Sequence, residues 1–149
     1  MKKVYVIEDF CIGCGTCMVY CAAAHSEYPK DLLKAFKLSS LKPVPRLFIE
    51  EEEGNSYSLM CRHCDEPLCV YSCISGAMFK DNRTGVVKVD KERCVGCFTC
   101  VIACPYGFIR EGSENGRSLP LKCDLCKDSF DMPQCVEHCP NEALRYGEE

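Results

Sequence analysis

Hydrophobic positions along the chain come in short runs, and cysteine punctuates nearly all of them. Segment 2–8 (KKVYVIE) alternates weakly and predicts a strand. Segment 44–60 (VPRLFIEEEEGNSYSLM) predicts a hairpin turning at Glu53–Asn55, and AMFKDNRTGVVKVD at 77–90 a second one turning near Asn82–Gly85. The Glu50–Glu53 run inside the first hairpin reads as a solvated strand end rather than a partner-binding patch. Short helices are expected at 16–24, 67–73, 98–103 and 133–138, with Pro105 and Pro140 barring continuation after the last two. Asp31–Leu41 is expected to form a short amphipathic helix with Leu32, Leu33, Phe36 and Leu38 facing inward. Segment 113–120 (SENGRSLP) reads as a polar loop.

These elements are too short to make a large core, and composition sharpens the point. The 149 residues amount to one ordinary domain, and the 47% hydrophobic content includes sixteen cysteines and no tryptophan. Something held by the cysteines must therefore occupy the interior, because small domains with thin cores depend on metals or disulfides. Met1-Lys2-Lys3 leads into only a few apolar residues before Glu8 and Asp9, which is not the pattern of an export signal. No twin-Arg motif and no apolar run near the ~20 residues of a membrane span are present. The expectation is a cytoplasmic protein without a direct membrane span, in a reducing compartment where thiols persist and bind metal.

The cysteines fall into four groups of four with none left over: Cys11, Cys14, Cys17, Cys21; Cys61, Cys64, Cys69, Cys73; Cys94, Cys97, Cys100, Cys104; and Cys123, Cys126, Cys135, Cys139. Groups one and three read C-x-x-C-x-x-C-x-x-x-C. In such a run three closely spaced thiolates hold one cuboidal [4Fe–4S] cluster, and the fourth serves the other cluster of a pair. Zinc uses four tetrahedral ligands from separated C-x-x-C knuckles and suits three cysteines in series poorly. Groups two and four keep the opening C-x-x-C and the closing C-x-x-x-C; their extra residues, Asp65–Leu68 and Lys127–Gln134, are free to loop outward.

A single short hairpin joins groups two and three, which pairs them and leaves groups one and four as the outer pair. The expected cofactors are four [4Fe–4S] clusters, with all sixteen cysteines as iron ligands. Cys11, Cys14, Cys17 and Cys139 hold one; Cys123, Cys126, Cys135 and Cys21 its neighbour; Cys61, Cys64, Cys69 and Cys104 a third; and Cys94, Cys97, Cys100 and Cys73 the fourth. The formal charge is −4; about −2 for each oxidised cluster brings the loaded chain to about −12. That excludes nucleic acid as a partner and favours a basic protein surface or a buried interface.

The three histidines flank the motifs: His25 after group one, His63 inside group two, His138 before Cys139. They read as surface or hydrogen-bonding groups around the ligands rather than as ligands. Lys122 and Arg62, beside ligands, read as solvated side chains, with electrostatic tuning of the cluster potentials as the alternative. Gly13, Gly15 and Gly96 are assigned to close backbone approach to clusters. With every cysteine used, no phosphate-binding loop and no Ser/His/Asp arrangement, no catalytic residue is assigned. The chain reads as an electron carrier, not an enzyme.

The stretches CRHCDEPLCVYSC (61–73), GVVKVDKERCVGCFTCVIACPYG (85–107) and KCDLCKDSFDMPQCVEHCPNEAL (122–144) resemble the four-cluster iron–sulfur subunits of dimethyl-sulfoxide-reductase-type oxidoreductases, hydrogenases and carbon monoxide dehydrogenases. Cys21 is followed by Ala22 and Cys73 by Ile74 where many relatives carry proline. The resemblance implies an α+β fold of two bacterial-ferredoxin-like modules: an outer one at 1–25 plus 115–149, an inserted one at 56–110, and a link at 26–55, in one compact domain over 1–149. Segment 24–51 looks most like the iron–sulfur subunit of carbon monoxide dehydrogenase. The implied role is an electron-transfer subunit of anaerobic metabolism. It would work between a catalytic subunit, of carbon monoxide dehydrogenase or aldehyde oxidoreductase type, and a ferredoxin or flavin-dependent NAD(P) oxidoreductase. Alternatives are a relay subunit of formate dehydrogenase or hydrogenase, and a freely diffusing polyferredoxin. A redox-sensing regulator would need a DNA-binding element, and the sequence carries none.

Overall fold

The computed structural model describes residues 1–114 and 116–148; the expected outer-module bounds at 115 and 149 lie outside the described residues. In chain order the elements are β1 (Lys3–Val6), α1 (Thr16–Ala24), α2 (Leu32–Lys37), β2 (Leu47–Glu52), β3 (Asn55–Met60), α3 (Leu68–Tyr71), β4 (Met78–Lys80), β5 (Val87–Val89), α4 (Thr99–Ala103), β6 (Arg110–Glu114), β7 (Arg117–Leu121), α5 (Gln134–Glu137) and β8 (Leu144–Gly147). The strands form four two-stranded antiparallel sheets, β1–β8, β2–β3, β4–β5 and β6–β7. Contacts divide the chain into two units. One is Cys61–Asp124 with Met1; the other joins Lys2–Met60 to the chain from Leu125 onward.

In the terminal unit, β1 pairs with β8 in the register Val4↔Tyr146 and Val6↔Leu144. The pairing is carried one step further by the Ile7 N–H, which donates to Ala143 O at 2.7 Å. Group one follows β1 and group four precedes β8, so this ladder sets the two cysteine groups side by side. α1 lies against α5, and the Tyr20 ring stacks on His138 with centroids 3.6 Å apart. Leu47, Met60 and Leu144 form the core together with Cys17, Cys21 and Cys135. The central unit repeats the plan, with Met78, Val87 and Ile109 packed around Cys100 and flanked by Cys69, Cys73 and Cys104. Each fully buried large apolar side chain contributes roughly 1.5–3 kcal/mol. These cores hold few of them, and thiols fill the remaining places.

Both expected hairpins form, with β2–β3 in the register Leu47↔Met60 and β4–β5 in the register Met78↔Val89. The Glu50–Glu53 run is exposed, and Glu52 accepts from the Tyr57 hydroxyl at 3.0 Å. The helices inside groups two and four are shorter than expected: α3 and α5 begin directly after Pro67 and Pro133 and end at Tyr71 and Glu137.

Two expectations are corrected. Of the segment expected as a loop, 113–114 and 117–120 lie in paired strands, β6 and β7 pairing from Arg110↔Leu121 to Glu114↔Arg117; position 115 lies outside the described residues. Ser113, Arg117 and Ser118 are exposed and the adjacent Leu119 and Pro120 are both buried, so the strands lack the period-2 alternation that would mark them in the sequence. α2 exists, capped by the Asp31 carboxylate accepting from Lys34 N–H at 3.0 Å, but it is turned the other way. Leu32, Leu33, Phe36 and Leu38 are exposed and Ala35 is fully buried. The helix has only six residues and neighbours α1, and the one side chain it buries is its smallest.

Two glycines are required by the hairpins beside them. A Cβ on Gly13 (φ +67°) would lie 2.7 Å from Ser56 Oγ of β3, and one on Gly96 (φ +70°) 2.9 Å from Ser118 O of β7. No chain atom lies within 4 Å of the corresponding point on Gly15 (φ +75°). Gly15→Ala should therefore cost only the left-handed conformation, roughly 1–2 kcal/mol. Gly96→Ala should cost that plus an overpacking cost of roughly 1–3 kcal/mol against a backbone carbonyl. Anaerobic thermal unfolding of the loaded protein should rank Gly96→Ala well below Gly15→Ala; equal midpoints would contradict the packing argument.

Candidate metal centre

Each cysteine group opens with a C-x-x-C knuckle, and all four knuckles share one backbone feature. The residue before the second cysteine has positive φ: Gly13 +67°, His63 +47°, Gly96 +70° and Leu125 +62°. This left-handed step turns the chain back so that two thiols three residues apart face the same side. Glycine adopts it at no steric cost. Histidine and leucine do not, and both are 1% exposed, so burial of the side chain offsets the strain. The two glycines in groups one and three were the sequence signal that positions 63 and 125 would share this conformation.

In the terminal unit, Cys11, Cys14, Cys17 and Cys139 line one cavity with Phe10, Ile49 and Leu144, and among the described residues lining it none is charged. Ser58 also lines it, and its buried hydroxyl faces the Cys17 thiol, which it pulls down against the effect of burial. Asn141 Nδ2 donates to Phe10 O at 2.8 Å and ties the end of group four to the start of group one. Burial pushes the Cys17 thiol up, and neighbouring Cys14 and Cys11 act in the same sense. The exposed Cys14 is pulled down by the Thr16 hydroxyl, which lies 3.4 Å from its Sγ. Cys21 Sγ accepts the Arg46 N–H at 3.2 Å, and Cys126 and Cys135 are buried.

In the central unit, burial pushes the Cys69 thiol up, with Cys61, Cys104 and Cys64 adding to it and Lys122 opposing. Cys100 is pushed up to about 11 by burial, with Cys73, Cys94 and Cys69 in the same direction. Cys97 repeats the arrangement of Cys14: the Thr99 hydroxyl lies 3.4 Å away and lowers it. Burial raises Cys73, but N–H donation from Met78 at 3.3 Å and the Ser75 hydroxyl outweigh it. The Lys80 ammonium holds the extra loop of group two by donating to Cys64 O at 3.0 Å and Asp65 O at 3.1 Å.

The histidines and cations divide unevenly. His25 Nδ1 lies 2.7 Å from Cys21 O and His138 Nδ1 3.1 Å from Gln134 O. His63 is buried and accepts the Val87 N–H on Nδ1 at 3.1 Å. Arg62 is exposed and lies over the Tyr106 ring at 4.4 Å. Lys122 corrects the expectation of a solvated side chain. It is 2% exposed, and its ammonium donates to Val87 O and to Cys123 O. Nothing local marks Lys122 as buried, because β5, which covers it, lies 35 residues earlier.

All sixteen cysteines are thiols rather than disulfides. Four thiols per group in repeated knuckles, with a largely apolar lining and a buried hydroxyl at the first cavity, fit iron–sulfur clusters in their chemistry. Fold and site together define a ferredoxin-like iron–sulfur protein. The 4Fe-4S dicluster domain family matches residues 54–149. The electron transport protein HydN of Escherichia coli K12 is 37% identical over 94% of this chain and 85% of its own. An iron-sulfur protein of Rhodospirillum rubrum is 32% identical over 95% and 80%. Protein NrfC of E. coli K12 is 34% identical over 94% and 62%. Among solved structures, the active site complex BamBC of benzoyl coenzyme A reductase with benzoyl-CoA contains a similar chain. It has a TM-score of 0.52 and 25% identity over 99% of this chain and 79% of that one.

The chain belongs to the family of 4Fe-4S electron-transfer proteins. It is an electron-transfer component rather than an enzyme in its own right. Among the described residues no helix is long and apolar enough to cross a membrane.

Replacing His63 by alanine removes the acceptor of a buried N–H and should cost about 1–3 kcal/mol. Loaded His63→Ala protein should unfold at lower denaturant concentration than wild type. His138→Ala, whose ring stacks in the partly exposed terminal unit, should cost less. The reverse order would show that the Val87 hydrogen bond does not hold the knuckle.

Proposed function

We propose that the chain is an electron-relay subunit that holds four [4Fe–4S] clusters in two nested modules. The ligand sets are Cys11, Cys14, Cys17 and Cys139; Cys123, Cys126, Cys135 and Cys21; Cys61, Cys64, Cys69 and Cys104; and Cys94, Cys97, Cys100 and Cys73. The observation that carries this reading is the cavity shared by Cys11, Cys14, Cys17 and Cys139, where a cysteine 122 positions further along the chain joins the three of group one. The influence of Cys61, Cys104 and Cys64 on Cys69 supports the first inner set; Cys100 is influenced by Cys73 and Cys94 of its own set and also by Cys69 of the other. The division of contacts into a central unit and a terminal unit supports the nesting.

When bound, the clusters supply one-electron redox chemistry. The protein's own residues hold and tune. Thiolates fix each cluster, while Phe10, Ile49 and Leu144 keep water from the first site. N–H and hydroxyl donors to sulfur, such as Arg46 N to Cys21 and Met78 N to Cys73, stabilise negative charge and raise potentials. The cytoplasmic role is transfer between an oxidoreductase catalytic subunit and a ferredoxin or flavin-dependent NAD(P) oxidoreductase. Segment 24–51 favours carbon monoxide dehydrogenase as that catalytic subunit. Hydrogenase, formate dehydrogenase and aldehyde oxidoreductase subunits share the same cofactor logic.

Anaerobically reconstituted protein should carry about sixteen irons per chain, four for each Cys-ligated four-iron cluster; a count near eight, or zinc, would sink the reading. Cys139→Ser and Cys11→Ser should alter the same cluster signal in electron paramagnetic resonance, and Cys135→Ser a different one. A signal shared by Cys139 and Cys135 would replace the nested pairing with one cluster per group. Since thiols occupy so much of both cores, stripping iron with a chelator should abolish cooperative unfolding. A sharp transition in the iron-free chain would show that the apolar residues suffice.

A further inference from the structure

Lys122 is a buried cation beside the cysteine motifs, and one residue, Val87, connects it to group two. Its ammonium donates to the carbonyl of Val87 and to the carbonyl of Cys123. The same Val87 residue donates its N–H to His63 Nδ1 at 3.1 Å. All three residues are buried, with Lys122 at 2%, Val87 at 1% and His63 at 1% exposure. Because Nδ1 accepts a hydrogen bond, the His63 ring is the neutral tautomer carrying its proton on Nε2. Within this network the positive charge is therefore that of Lys122, and carbonyl oxygens receive its N–H groups as an ammonium requires.

A cation in this position favours whichever state of a neighbouring redox group is more negative. Buried, it is screened little by salt or water. Lys122 opposes the rise of the Cys69 thiol, whereas the charges acting most strongly on Cys100 are those of Cys73, Cys94 and Cys69.

We propose that Lys122 sets the potential of the cluster assigned to Cys61, Cys64, Cys69 and Cys104, holding it above the other cluster of the central unit so that an electron entering that unit settles there. The proposal rests on the ligand sets given under Proposed function. Lys122 acts as a tuning residue through space and through Val87, whose carbonyl it holds and whose N–H holds His63, not as a ligand. Its proximity to Cys123 makes the cluster of group four the competing target, and the experiment must separate the two.

The test is an anaerobic redox titration of the full loaded chain followed by electron paramagnetic resonance. It compares wild type with Lys122→Met, Lys122→Gln and Lys122→Arg, and uses Cys69→Ser and Cys123→Ser to mark signals. A unit charge acting over roughly 10 Å at an effective dielectric near 20 is worth about a tenfold change in an equilibrium constant. Both neutral variants should therefore lower the electron affinity of the Cys69-marked cluster about tenfold, or about 59 mV for one electron. Lys122→Arg should keep the wild-type value, and iron content should stay unchanged. An unmoved Cys69-marked midpoint at full iron content would overturn the proposal, as would a larger shift at the Cys123-marked cluster. Iron loss in all three variants, arginine included, would overturn it too, by making Lys122 a packing residue. A Cys69→Ser chain that keeps every signal would instead remove the ligand assignment beneath it, a failure distinct from an unmoved midpoint.

Discussion

A C-x-x-C knuckle has three peptide bonds in which to bring two thiols to the same side of the chain, and this protein meets that demand four times with the same left-handed step. The cost of that step for a residue with a Cβ is roughly 1–2 kcal/mol, and much of the local architecture follows from how each knuckle meets it. Where glycine takes the position, the missing side chain lets a hairpin close in, β3 over Gly13 through Ser56 and β7 over Gly96 through Ser118. Where histidine or leucine takes it, the side chain is driven into the interior, and His63 gains the Val87 N–H as an anchor. The two kinds of knuckle alternate along the chain, glycine in groups one and three and a buried side chain in groups two and four.

The same constraint explains the composition of the cores. Strands and helices only three to nine residues long exist to present knuckles, and they bring little apolar surface with them. Thiols occupy positions that leucine or valine fills in an ordinary domain of this size. Burial raises Cys17, Cys69 and Cys100, so these groups rest as neutral thiols until a metal displaces their protons. At the rim, Cys14 and Cys97 are exposed and each is lowered by the threonine two residues on. The repeat thus reaches from sequence through backbone to electrostatics: buried thiols anchor the interior, and exposed, threonine-bonded ones face outward.

Much of this was legible from local pattern. Cysteine spacing, the weakly alternating first strand, the turn residues of two hairpins and the prolines that bound the short helices all act over a few residues, and each corresponds to an observed element. The errors share one cause. The 113–120 segment has loop composition but pairs as β6–β7, because an antiparallel partner satisfies its backbone regardless of its serines. The apolar side chains of α2 look inward on a helical wheel, yet Ala35 is the residue buried and the larger ones are exposed, because which face is covered depends on the segment packed against it.

The sequence by itself determined the ligand chemistry and its fourfold grouping, since spacing within a knuckle is a matter of local sterics. Only the tertiary structure decided what surrounds each knuckle. The pairing of Lys3 with Gly147 sets group one beside group four across nearly the whole chain. The covering of Lys122 by β5 turns a side chain expected in water into a buried cation. Burial depends on which segment arrives from a distance, and no window of sequence around Lys122 contains the strand that covers it.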